Sequence, residues 1–269
     1  YLTNTTLNGS AINLNASSEK WVGVVAENAT LNASGDIVLN GSSQESPGIK
    51  LLKSSKLTST SGNVSLTGTN TSGKDSKEGI LMDSGSITAA NSVSLNGTTN
   101  GTANSIGVNV SNASLTATSG NITVTGTSSR GNGAGVSLTN VTMAATSGCI
   151  SVTGTGFDSS DGGLSVSGGN FSAQNTVMEG TANRNNVGAK LAGSINVTQG
   201  NLAVTGTAKQ FSSGSFTGLL AGSDLNLNVS AGSLNLTGKI EAYEGKTGLS
   251  GATGLSLNGT TLSANHADL

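Results

Sequence analysis

The 269 residues predict an all-β protein: a right-handed parallel β-helix with three short strands per coil of about 28 residues, about nine to ten coils in all, forming one repeat region over residues 1–269. Three features carry this expectation. A phrase of eight residues recurs, as "NVSLTGTN" (Asn63–Asn70), "SVSLNGTT" (Ser92–Thr99), "NITVTGTS" (Asn121–Ser128), "CISVTGTG" (Cys149–Gly156), "NLAVTGTA" (Asn201–Ala208) and "GLSLNGTT" (Gly254–Thr261). Apolar and small polar residues alternate with period two, the mark of strands buried on one face. No segment carries a helical period.

The glycine of each copy sets the spacing. Gly41, Gly68, Gly97, Gly126, Gly154, Gly180, Gly206, Gly238 and Gly259 follow one another at roughly 21 to 32 residues, within the range of solenoid repeats. Ala16 takes this place in a weaker first copy, "INLNASSE". Within the unit Gly135–Gly162, Val136 and Leu138 mark a first strand, Val141, Met143 and Ala145 a second, and Ile150 and Val152 a third. Asn140 and the pair Ser147-Gly148 punctuate the unit as tight turns, and a longer loop follows the marker glycine. Stacked in parallel at about 4.8 Å per coil, equivalent positions form columns, such as Leu57, Ile87, Leu115, Met143 and Phe171. One unit cannot bury its apolar face alone; neighbouring coils do so. The marker glycine has inward parity but no side chain, so it is expected at a sharp corner or a bulge.

Composition narrows the function. The chain has 12 basic and 14 acidic residues, a net charge of −2 and 3% aromatics. It has no basic stripe with interleaved aromatics, which argues against nucleic acid, and no apolar run long enough for a membrane helix, so no membrane insertion is expected. Tyr1 opens inside a repeat and "TLSANHADL" (Thr261–Leu269) begins a further coil, so a piece of a longer rod is expected.

The charges are not scattered. Most fall in the loops between a marker glycine and the next strand, which a solenoid stacks along one edge. The candidate recognition residues there are Lys74, Asp75, Lys77, Glu78, Arg130, Phe157, Asp158, Asp161, Arg184, Phe211, Phe216, Tyr243, Glu244 and Lys246. Loops on a rigid scaffold are where recognition usually lives; loops also vary where nothing restrains them. Asp158 and Asp161, or Glu241 and Glu244, are close enough in sequence to act as paired carboxylates or to hold a hard cation, and equally to keep a loop in water. His266 is the only histidine and Cys149 the only cysteine, so neither a metal cluster of His and Cys nor an internal disulfide is expected. No cofactor and no catalytic group are expected.

Asn-x-Ser/Thr triplets are abundant, at 19 positions from Asn4 to Asn258. They read as glycan acceptors or as a by-product of alternation, since outward positions i and i+2 both favour small polar residues.

The phrase "LTATSGNITVTGTS" (Leu115–Ser128) with its partner strand "GVSLTNVTM" (Gly135–Met143) resembles the repeats of large secreted bacterial adhesins. These are the filamentous-haemagglutinin-like and high-molecular-weight adhesins of two-partner secretion, and the passenger domains of adhesin autotransporters. The resemblance covers essentially the whole chain. It implies a secreted, cell-surface rod that attaches to a host-cell glycan or protein, or self-associates between bacteria. Three rivals use similar repeats. A polysaccharide-acting enzyme or tailspike would carry clustered acids and aromatic platforms in a groove. An ice-binding rod would show a flat Thr-x-Thr ladder, which a glycine bend would break. A toxin-delivery stalk would carry its active domain elsewhere.

Overall fold

The structure is a computed structural model that describes residues 1–71, 77–157, 161–184, 187–210, 215–242 and 251–268. Among these residues there are strands and turns but no helix, and each coil pairs in parallel with the next. The chain is a parallel β-solenoid. About eight turns of roughly 28 residues stack between a thinner turn at each end. The first of these begins with the short strand Leu2–Thr3, and the last carries Ala252–Leu257, none of which is fully buried.

The coil that starts at Gly107 shows the plan. The strand Val108–Ala117 forms two faces and bends between them at Asn112; Ile122–Ser128 forms the third. In three coils one strand runs through all the faces, as Val136–Gly156, Leu164–Ala182 and Val187–Gln210, because ladder hydrogen bonding continues around the corners. The turn expected at Ser147-Gly148 appears there as a break in register between Ala145 and Cys149.

Alternation places the core. Leu57 pairs with Ile87, Ile87 with Leu115, Leu115 with Met143 and Met143 with Phe171, all fully buried. The expected column therefore runs unbroken through five coils. A second column on the third face, Leu95, Val124 and Val152, is equally buried.

The bend between the first two faces is made by residues in the left-handed region. Asn4, Asn28, Asn112 and Asn140 have φ of 49°, 49°, 50° and 51°. Asparagine tolerates this conformation better than most residues because its short side chain hydrogen-bonds locally. The Asn28 amide also donates to Asn4 Oδ1 at 2.8 Å, joining one coil to the next.

The marker glycines depart from expectation. They occupy neither a corner nor a bulge: the in-out alternation of side chains runs unbroken through Gly68, Gly97, Gly126 and Gly154, and their pairing keeps register. Their role is close approach. A Cβ on Gly126 would lie 2.0 Å from the carbonyl oxygen of Gly135, and one on Gly97 2.0 Å from that of Gly107. A second glycine column opens the first face of each coil, at Gly48, Gly79, Gly107, Gly135 and Gly163, and its members are hemmed in just as tightly. The two columns meet backbone to backbone and form a neck that closes the core from the loops beyond it. The phrase "GLSLNGTT" is also reassigned. Ala252–Leu257 pairs with Phe216–Ala221 on the first face, so Gly254 belongs to the second glycine column and Gly259, with φ of 71°, to a turn. Both faces read as alternating Leu and Ser next to a glycine, which made the two indistinguishable by phrase alone.

One core position is chemically out of place. Thr176 stands fully buried between Ile150 and Leu202, and its hydroxyl has no hydrogen-bond partner. Leaving such a group unsatisfied costs about 1–3 kcal/mol. Thr176→Val keeps the shape and removes the hydroxyl, so it is expected to stabilise the fold by about 1 kcal/mol, read as a higher denaturant midpoint with an unchanged slope.

Candidate functional site

The loops between the neck glycines form one edge of the solenoid. Beyond the neck, inward parity continues into a small polar core of Ser43, Asn70, Thr99 and Ser128, each at most 1% exposed and in register with the next. These side chains bind loop backbone. Asn70 Nδ2 donates to the carbonyls of Ser46 at 2.8 Å and Gln44 at 3.2 Å, and Thr99 Oγ1 donates to that of Lys77 at 2.8 Å. The loop backbones also bond to one another. Glu45 N donates to Glu19 O at 3.0 Å, Asn100 N to Asn70 O at 3.1 Å and Ser129 N to Thr99 O at 3.0 Å. Among the described residues, the bases of these loops are thus a stacked layer of their own.

The structure brings some of the expected residues together. The Arg184 guanidinium lies over the Phe157 ring, 5.7 Å from its centre, within the range of a cation–π contact. Four residues after Phe157, Asp161 accepts from Lys190 Nζ at 3.2 Å across adjacent coils. Lys77 and Glu78 are half-buried at the neck, and Arg130 is exposed. Phe216 is different: it is 5% exposed and points inward at the start of the strand Phe216–Ala221, so it fills space rather than meeting a partner. Two residues before Gly218, it has the inward parity of that column. Lys74, Asp75, Asp158, Phe211, Tyr243, Glu244 and Lys246 lie outside the described residues, and with them half of each acidic pair or more.

Two further elements were missed. The first coil carries its own loop, "SSEKWVG" (Ser17–Gly23), with Glu19 and Lys20 exposed and the only tryptophan, Trp21, 68% exposed. Spacing already puts Ala16 at the marker position, which its pairing with Gly41 confirms, so the place of this loop was legible. A second charged strip lies at the bend between the first two faces, where Lys53 pairs with Glu27 and Asp83 accepts from Ser111 Oγ at 2.9 Å.

Burial pushes the Glu78 carboxyl above its ordinary value of 4.5, against the opposing pull of a backbone hydrogen bond, Lys50, Lys77 and Asn109. A carboxyl with a raised folded-state pKa binds its proton more tightly folded than unfolded. Its stabilising contribution is full below pH 4.5 and is lost as pH rises through the folded value. Thermal unfolding followed across that window should therefore show a falling contribution in the native chain, and Glu78→Gln should remove this part of the slope.

Among the described residues no group of three or more His, Cys, Asp or Glu side chains converges, and no helix is long and apolar enough to cross a membrane. His266 is exposed on the last strand, opposite Ser233. Cys149 is half-exposed, and its backbone N–H donates to Asn121 Oδ1 at 2.9 Å. The asparagine triplets gain a structural origin. At Asn112 and Asn140 the asparagine makes the left-handed bend, the next residue turns inward and the Ser or Thr turns out. Elsewhere asparagines of these triplets stack, with Asn32 donating to Asn8 at 2.9 Å and Asn40 to Asn15 at 2.6 Å.

No protein-family model, no curated protein and no solved structure matches the chain. The fold defines a class, a parallel β-solenoid rod.

Proposed function

We propose that the chain is the extracellular rod of a bacterial surface adhesin, similar in kind to the filamentous-haemagglutinin-like and high-molecular-weight adhesins. It attaches the cell to a host glycan or protein, or to a sister bacterium, and it turns over no substrate. The observation that carries this reading is the segregation of chemistry. Ser, Thr and Asn dominate the outward strand faces, with scattered charges such as Lys53, Glu179 and Lys190, while the loops hold Phe157 under Arg184, Asp161 and the exposed Trp21. Aromatic and arginine side chains are those that most often dominate binding energy at interfaces.

The test exchanges the loops at 71–78, 157–162 and 243–250 for the short sequence Ser128–Gly135. Because the loop bases are stacked, each exchange is checked for folding by circular dichroism and thermal unfolding. Cell attachment should fall at least about tenfold, the effect of losing one strong contact, with the fold retained. Attachment that survives all three exchanges would remove these loops from the binding surface. Cleavage of a polysaccharide by the unchanged chain would replace the reading with an enzyme.

A further inference from the structure

On the first face the outward residues change character along the solenoid. Beyond Leu81 the equivalent places in the next three coils hold Asn109, Ser137 and Ser165, and beyond Asp83 they hold Ser111, Thr139 and Ser167. Two coils differ from these. Lys50 and Leu52 point outward in one, and Leu81 and Asp83 in the next. The strands pair Lys50 with Leu81 and Leu52 with Asp83. Val25 stands before Lys50 in the same outward column.

The four side chains form a two-by-two block. Neighbouring coils lie about 4.8 Å apart, and residues i and i+2 of a strand about 6.6 Å apart. The leucines occupy one diagonal and the opposite charges the other. Both leucines are partly exposed. Lys50 and Asp83 enter no ion pair among the described residues, and Asp83 accepts from Ser111 Oγ at 2.9 Å.

This pattern is complementary to itself. A two-fold axis in the plane of the face, along the leucine diagonal, lays Leu52 on the partner's Leu52 and Leu81 on the partner's Leu81. It also brings Lys50 of each copy to Asp83 of the other. Side-by-side arrangements fail this test: with the solenoids parallel or antiparallel, each leucine falls opposite a charge. The two solenoids therefore cross at a steep angle, as sheets do in orthogonal packing. Such a contact is isologous, so the pair of Lys50 and Asp83 occurs twice.

We propose that this block is a self-association site, at which two copies of the chain cross with first face on first face. The partner is a second copy because the same surface, turned over, meets both diagonals at once. The crossing buries on the order of 300 Å² per copy, well below the roughly 800 Å² of a standard interface. One contact is therefore weak, and many rods on facing cells strengthen it through avidity. The inference extends the adhesion reading, for which it names a second copy as partner at a face apart from the loop edge.

Sedimentation of the full chain should show a reversible rise towards dimer as its concentration approaches about 1 mM, weakened by salt because the charge pairs are exposed. Lys50→Glu should reduce the association about tenfold or more, and Asp83→Lys likewise. The two together should restore it, with the melting temperature retained throughout. Cysteine trapping locates the axis. In a Cys149→Ser background, Leu52→Cys and Leu81→Cys should each be joined to their own copy by a short thiol crosslinker. The rate should exceed that of Ser137→Cys, an outward position of the same face away from the axis, by at least about tenfold. A monomer up to that concentration, a charge exchange that fails to restore association, or equal trapping at Ser137→Cys would overturn the proposal. Cell attachment is measured in parallel. Attachment by a chain that does not pair leaves the adhesion reading standing and removes the crossing, and pairing by a chain that attaches to nothing does the reverse.

Discussion

Gly126→Ala is expected to destabilise the solenoid by about 3 kcal/mol or more, at the upper end of what overpacking costs. The added methyl would sit 2.0 Å from the Gly135 carbonyl oxygen and 2.7 Å from its carbonyl carbon. These are backbone atoms, so no rotamer change relieves the contact; Val136 Cγ2 at 2.6 Å crowds it further. Gly126 is not among the residues with positive φ, so the penalty is one of space rather than of backbone conformation. Opening the neck to admit the methyl would separate Gly126 from Gly135 and disturb the ladders that bind Gly97 and Gly154 on either side. The one coil that carries alanine at this position, at Ala16, is the thin terminal turn, where that residue is exposed. Gly9→Ala is the contrasting variant. Its Cβ would have nothing nearer than the Ala11 carbonyl oxygen at 3.1 Å, and the expected change is within about 0.5 kcal/mol. Denaturant unfolding of both variants measures the difference. Equal stabilities would show that the neck is not closed as described.

The core was legible because a parallel in-register stack repeats its apolar parity in every coil. Leu115 and Met143 align by sequence spacing alone, and they pair in the structure. The neck was not legible. Glycine at inward parity is compatible with a bend, a bulge or a close approach, and only the position of the opposing backbone separates them. Gly126 and Gly135 are nine residues apart in sequence with a loop between, and nothing in alternation says that they touch. The same limit explains Phe216. Its loop neighbours are polar, so it was grouped with them, whereas its pairing with Ala252 puts it on the first face. Trp21 was legible and passed over: Ala16 marks its coil, five residues before it. Thr125 and Thr127 pair with Thr153 and Thr155 in an unbroken ladder, so the glycine between them does not break the flatness of that face. What interrupts the hydroxyl ladder is side-chain chemistry, at Glu179 opposite Thr153 and Lys239 opposite Thr207.

Val124→Asp is expected to cost about 4 kcal/mol or more, the range reached when an unpaired charge is buried. Val124 is fully buried on the third face, with Leu95 on one side and Val152 on the other, also fully buried. A carboxylate there loses its water and gains no donor, because the backbone N–H groups of a parallel ladder are spent on neighbouring strands. The side chain cannot turn outward without moving the ladder by one residue, which would carry Ile122 out and Thr123 and Thr125 in. Damage in a solenoid falls mainly on the nearest coils, since each unit contacts only its neighbours. Hydrogen exchange should therefore show the largest loss of protection in Val93–Thr99, Ile122–Ser128 and the third-face part of Val136–Gly156, with less change at Ile37–Ser43. The substituted carboxyl should titrate well above its ordinary range, because burial favours the neutral form, so part of the lost stability should return at acid pH. Uniform loss of protection along the whole chain would mean that the coils unfold as one cooperative unit. Loss centred away from Leu95 and Val152 would mean that the coils are stacked in a different register.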